Sequence, residues 1–79
     1  MSPRLHVAFP ESLVAQPVIY ELVKEFDVVP NIRRAAVEAD SGWMILELGG
    51  DPDAVERAIA YLGDRGCVVN PMEGDVVAG

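Results

Sequence analysis

The side chains best suited to chemistry in this sequence lie in the run Val29-Pro30-Asn31-Ile32-Arg33-Arg34. A proline with fixed φ precedes an asparagine that can both donate and accept hydrogen bonds, at the mouth of a strand. Such a segment can clamp a small zwitterion. Asn31 would bond its amino or carboxylate groups, and Arg33 offers a bidentate carboxylate contact. The same spacing also suits a plainer role, in which Asn31 satisfies local backbone groups where the strand begins.

The other candidates have simpler explanations. His6 is the single histidine, and its sequence neighbours supply neither the oriented partner nor the pocket that acid–base work needs, so a structural or surface role is expected. Cys67 opens an apolar strand, where a free cysteine behaves as a small buried hydrophobe; a reactive thiolate would need a cation, and Arg65 is the one nearby. Asp51-Pro52-Asp53 with Glu56 lacks calcium-loop spacing and sits where helix capping accounts for every acid. Gly49-Gly50 has no following P-loop lysine or serine and reads as a strand-to-helix turn. No catalytic residue, metal site or cofactor is expected.

Composition narrows the class. At 79 residues, 51% hydrophobic and 24% charged, the chain is expected to be a single globular domain over 1–79, with a core at about 4–70 and a flexible tail at 71–79. A chain this short buries only about 60% of its unfolded surface, so pairing with another chain would help it fold. The net charge of −7, from 13 acids against 6 Lys and Arg, repels phosphate and anionic lipid, which disfavours nucleic acid and membrane surfaces as partners. One cysteine excludes an internal disulfide and any multi-thiolate cluster, and no apolar run reaches membrane length or resembles a signal peptide. A reduced, cytoplasmic setting is expected.

The elements that must carry these residues follow from periodicity. Arg4 to Phe9 alternates, with Leu5, Val7 and Phe9 on one face, and Pro10 ends the strand. After a loop, Pro17 starts a helix whose apolar positions Val18, Ile19, Leu22, Val23 and Phe26 recur at three- and four-residue spacing. Asp27 to Asn31 reads as a connector, and Ile32 to Glu38 as a second strand. Turn residues at Ala39-Asp40-Ser41-Gly42 then give a hairpin into Trp43–Leu48, with Met44, Leu46 and Leu48 on one face and Trp43, Ile45 and Glu47 on the other. Asp51 caps a second helix with Pro52 at its first position, Val55, Ala58, Ile59 and Leu62 form its core stripe, and Gly66 is its C-cap. Cys67-Val68-Val69 is the last strand.

The order predicts an α+β fold, a ferredoxin-like βαββαβ sandwich with a four-stranded antiparallel sheet and two helices on one face. The other face then lacks cover from this chain, and His6, Trp43, Ile45 and Val68 are placed on it. A face this apolar, or a free sheet edge, invites a ligand or a second copy.

In its motifs the sequence resembles the NIL domain family, named for an Asn-Ile-Leu motif entering the second strand. The resemblance runs from about Leu5 to Val69: a first strand ending at Phe9, Pro17-Val18-Ile19 at a helix start, Phe26-Asp27-Val28 at its end, Asn31-Ile32, the Gly42 hairpin, and Ala58-Ile59-Ala60-Tyr61-Leu62. The third motif position is Arg33, so a long cation replaces an apolar side chain. Members of the family occur at the C-terminus of methionine ABC importer ATPases, where the domain binds methionine at a domain–domain interface and inhibits transport. They also occur in fusions with iron–sulfur ferredoxin modules linked to sulfur metabolism, and as small separate proteins. The resemblance therefore implies a ferredoxin-like fold, dimerisation through the sheet, and sensing of a sulfur-containing amino acid.

The expectation is thus a non-catalytic regulatory module, a homodimer that holds a small amino-acid-like ligand such as methionine between subunits. Asn31 would be its polar anchor, Arg33 a carboxylate contact, and Ile32 and Val37 its apolar wall. The alternative is a ligand-free interaction module docking onto a separate protein partner, a ferredoxin or a sulfur-metabolism enzyme.

Overall fold

The computed structural model describes residues 3–72; the segment 73–79, most of the expected tail, lies outside the described residues. The elements run β1 (Arg4–Phe9), α1 (Glu11–Val14), α2 (Val18–Phe26), β2 (Val29–Val37), β3 (Gly42–Gly49), α3 (Pro52–Arg65) and β4 (Val68–Pro71). The strands form one sheet in the order β2-β3-β1-β4, with every neighbouring pair antiparallel. This is the ferredoxin-like α+β sandwich that the order of strands and helices predicts.

The alternation of β1 and β3 decides which residues are buried. Leu5 pairs with Leu46 and Val7 with Met44 on one face, while His6 pairs with Ile45 and Ala8 with Trp43 on the other. Leu5, Val7, Leu46 and Leu48 are at most 1% exposed, and they pack against Val18 and Leu22 of α2 and Val55, Ala58 and Leu62 of α3 in one core. Each such aliphatic side chain contributes about 1.5–3 kcal/mol on burial. Both long helices therefore lie on the same side, and His6, Trp43, Ile45 and Val68 share the open side.

The helix ends follow from local chemistry. The Asp51 carboxylate accepts a hydrogen bond from the Asp53 backbone N–H, and Pro52 opens α3. Gly66 ends it with φ 112°, a conformation that a Cβ disfavours. Asp27 ends α2 at φ 53°, the left-handed region where aspartate is tolerated. Between the helices, the Tyr61 hydroxyl donates to Glu21 at 2.9 Å and Arg65 pairs with the same carboxylate, which joins α3 to α2.

Three local features differ from the sequence reading. The loop after Pro10 holds a one-turn helix, α1, because Leu13 folds back into the core and its N–H bonds the Pro10 carbonyl at 2.9 Å. β2 begins at Val29, inside the expected connector, since a sheet edge tolerates the missing N–H of Pro30. For the same reason β4, at the opposite edge, carries Asn70 and Pro71, and it starts at Val68, one residue after Cys67.

Candidate functional site

Edge strand β2 carries all four sequence-predicted site residues. Asn31 pairs with Glu47 and therefore projects to the open face, whereas Ile32 pairs with buried Leu46 and projects to the helix side. A register shift follows between Ile32 and Arg34. Two residues, Arg33 and Arg34, then occupy the space of one, and Arg34 pairs with Ile45 on the open face. Arg33 reaches the same face, its Nη1 lying 3.5 Å from Glu47 Oε1.

The bulge thus sets Asn31, Arg33 and Arg34 on one side of the sheet. The two arginines border a shallow hollow of about 270 Å³ lined by Arg4, Arg33, Arg34, Ile45 and Met72. Glu47 organises this hollow: Arg4 donates to its Oε2 from Nε at 3.1 Å and from Nη2 at 2.8 Å. Those hydrogen bonds hold the Glu47 carboxyl below the ordinary carboxylate range, with burial opposing and the Arg33 charge assisting. Arg34 has no carboxylate within 4 Å among the described residues.

Val37 is placed apart from the other three. It pairs with Gly42 at the far end of β2, four β3 positions from the Leu46 that Ile32 pairs with, or about 13 Å along a strand. There it lines a second hollow, an apolar cleft of about 170 Å³ between the end of β1, the start of α2 and the hairpin, with Phe9, Val18, Tyr20 and Met44. Within one chain the four residues do not converge on one cavity. Along β2, Val29, Ile32 and Val37 remain 68%, 50% and 67% exposed, Val29 on the open face and the other two on the helix side.

The remaining candidates are accounted for locally. His6 stacks on Trp43 with ring centroids 5.3 Å apart, so its ring covers part of the open face. Cys67 is buried, and burial pushes its thiol upward against the opposing charge of Arg65, which favours the unreactive protonated form. Among the described residues no three His, Cys, Asp or Glu side chains gather as metal ligands, and no helix is long and apolar enough to cross a membrane. Sequence reasoning left Arg4, Arg34 and Glu47 out of the site. The Arg33-Arg34 adjacency was visible, but the bulge that aligns the pair depends on strand register, which side-chain types do not encode.

Known proteins resemble this chain in sequence and in fold. The NIL domain family matches residues 3–71. The methionine import ATP-binding protein MetN 2 of Shouchella clausii is 34% identical over 67 residues, covering 80% of this chain and 20% of that protein. The methionine import ATP-binding protein MetN of Coxiella burnetii is 33% identical over 72 residues, covering 86% of this chain and again 20% of its own length. The chain therefore spans about a fifth of these relatives. The crystal structure of the C-terminal domain of an ABC transporter ATP-binding protein from Enterococcus faecalis superposes with a TM-score of 0.78 at 18% identity, covering 89% of this chain and 82% of that one, a likeness of fold. With the family model matching residues 3–71, nearly the whole described length, the chain belongs to the NIL domain family.

Proposed function

We propose that this domain is a non-catalytic regulatory module that binds a small amino acid, methionine or a relative of it, at the interface of a homodimer formed along β2. The observation that carries the reading is the exposure of Ile32 and Val37 on one side of an edge strand bearing the Asn31-Ile32 motif. An open edge presents unpaired backbone donors and acceptors as well as side chains, and a second β2 satisfies both. Ile32 and Val37 lie on the same side of the edge, five residues apart. Antiparallel pairing about a twofold axis would set the Ile32 of one copy opposite the Val37 of the other, uniting residues that a single chain keeps apart. On the open face of the same edge, opposite the side that Ile32 and Val37 line, Asn31 then supplies the hydrogen-bonding anchor for the amino or carboxylate group of the ligand. Methionine is the first candidate because two relatives are methionine import ATP-binding proteins.

Isothermal titration of the folded protein with methionine and the other amino acids tests this function. Saturable heat with at least one of them, lost in Asn31→Ala, is the expected result; no heat with any of them overturns it. Sedimentation at micromolar concentration checks the assembly and should give about twice the 8.5 kDa chain mass. A monomer, with or without ligand, removes the shared site.

A further inference from the structure

The chain carries a net charge of −7, yet one hollow of its open face is edged by three arginines. Among the described residues, Glu25, Asp27, Asp53, Glu56 and Asp64 are exposed on or beside the helices. Among the described residues Glu47 is the sole carboxylate paired with arginines on the open face, and Arg4 already occupies its Oε2 twice. Arg33 is left with a single 3.5 Å approach to Glu47 Oε1, and Arg34 has no carboxylate within 4 Å among the described residues. Two neighbouring guanidiniums thus face one way with donors to spare.

The bulge produces this arrangement. A regular strand sends successive side chains to opposite faces, whereas the extra residue here turns Arg33 and Arg34 to the same face as Asn31. Ile45 floors the hollow and Met72 walls it, so an anion held there meets apolar surface on one side, which strengthens its attraction to the arginines. Guanidinium forks match the planar or trigonal oxygens of carboxylates and sulfonates.

We propose that Arg33 and Arg34 form an anion subsite beside Asn31, which selects amino acids whose side chain ends in a carboxylate or sulfonate over those with a neutral side chain. The inference rests on the amino-acid reading above and names the ligand class of that site. One guanidinium serves the α-carboxylate and the other the side-chain anion. A neutral ligand such as methionine uses only the first.

Calorimetric titration with L-methionine, L-glutamate and L-homocysteate at low ionic strength tests the selection. The expected result is that at least one acidic ligand binds tenfold or more tightly than methionine, glutamate leading if the subsite is shaped for a carboxylate and homocysteate if for a sulfonate. Added salt narrows the gap, Arg34→Gln closes it, and Arg34→Lys restores part of it. Methionine binding as tightly as both acids, or a preference unchanged in Arg34→Gln, overturns the proposal. Inorganic sulfate, followed by amide chemical shifts, gives a separate arm. If no amino acid binds, the regulatory reading fails, and sulfate decides the anion subsite alone: saturable shifts at Ile32 to Ala35 and Ile45 that vanish in Arg34→Gln retain it, and their absence removes it.

Discussion

Glu21 and Glu47 are the two carboxylates that the fold uses most. Glu21 receives the Tyr61 hydroxyl and pairs with Arg65, while Glu47 receives Arg4 and faces Arg33. Both are held below their usual value of 4.5, Glu21 chiefly by the Tyr61 hydrogen bond and Glu47 chiefly by Arg4. The ionised forms are thus favoured in the folded chain, and unfolding restores the higher value. Their contribution is fully present above about 4.5 and is lost as pH falls through the lowered folded values. Urea midpoints should therefore fall between pH 6 and pH 3, and the fall should be shallower in Glu21→Gln; an equal slope would show that this carboxylate is not linked to folding. Buried apolar residues respond differently. Leu46 is fully buried at the centre of the sheet, so Leu46→Ala should cost about 2–5 kcal/mol in urea unfolding at any pH where the protein is native. Ile32 is half exposed, and its truncation should change monomer stability much less while weakening self-association.

The two long helices and the central strands were legible because their signals are local. Asp51 followed by Pro52 marks a helix start whatever surrounds it, and Gly66 marks its end, so both boundaries of α3 agree with the sequence reading. The faces of β3 could likewise be read from a period of two. The edge strand was less legible. Pro30 reads as a breaker when nothing says that the strand lies at an edge, and the Arg33 bulge depends on pairing with β3 rather than on residue type. Asn31 and Arg33 could be nominated from the sequence, but the presence of Arg34 on the same face could not. α1 was missed because a single turn has too few residues to show a helical period. The caps allow a direct check at this scale. Asp51→Ala removes the acceptor of the Asp53 N–H and should destabilise the domain by about 1 kcal/mol. Gly66→Ala meets only ordinary contacts with Leu13 and Pro10 at 3.8 Å, so its cost of about 1 kcal/mol should come from the left-handed backbone alone. Guanidinium unfolding of both variants with an unchanged denaturant slope would place the losses in the native helix ends.

At the scale of the whole molecule, a thin core and an uncovered sheet side belong to the same problem. The described residues cover one side of a four-stranded sheet with helices, and among them no helix lies on the other. Trp43 and His6 shield part of that side by stacking, and the arginines shield another part with their aliphatic stems. The β2 edge, with Val29, Ile32 and Val37 in water, is covered by neither. If two copies close that edge on each other, folding and association become one equilibrium, and stability depends on protein concentration. Each tenfold rise in concentration then adds about 1.4 kcal/mol per dimer, which for a pair of domains this size raises the thermal midpoint by about 3–6 °C. Scanning calorimetry over a hundredfold range of concentration should show that climb, and Ile32→Asp, which places a charge on the pairing edge, should abolish it. A midpoint that stays constant across the range would mean that the isolated chain is already at its full stability, and the edge would then have to be explained without a second copy.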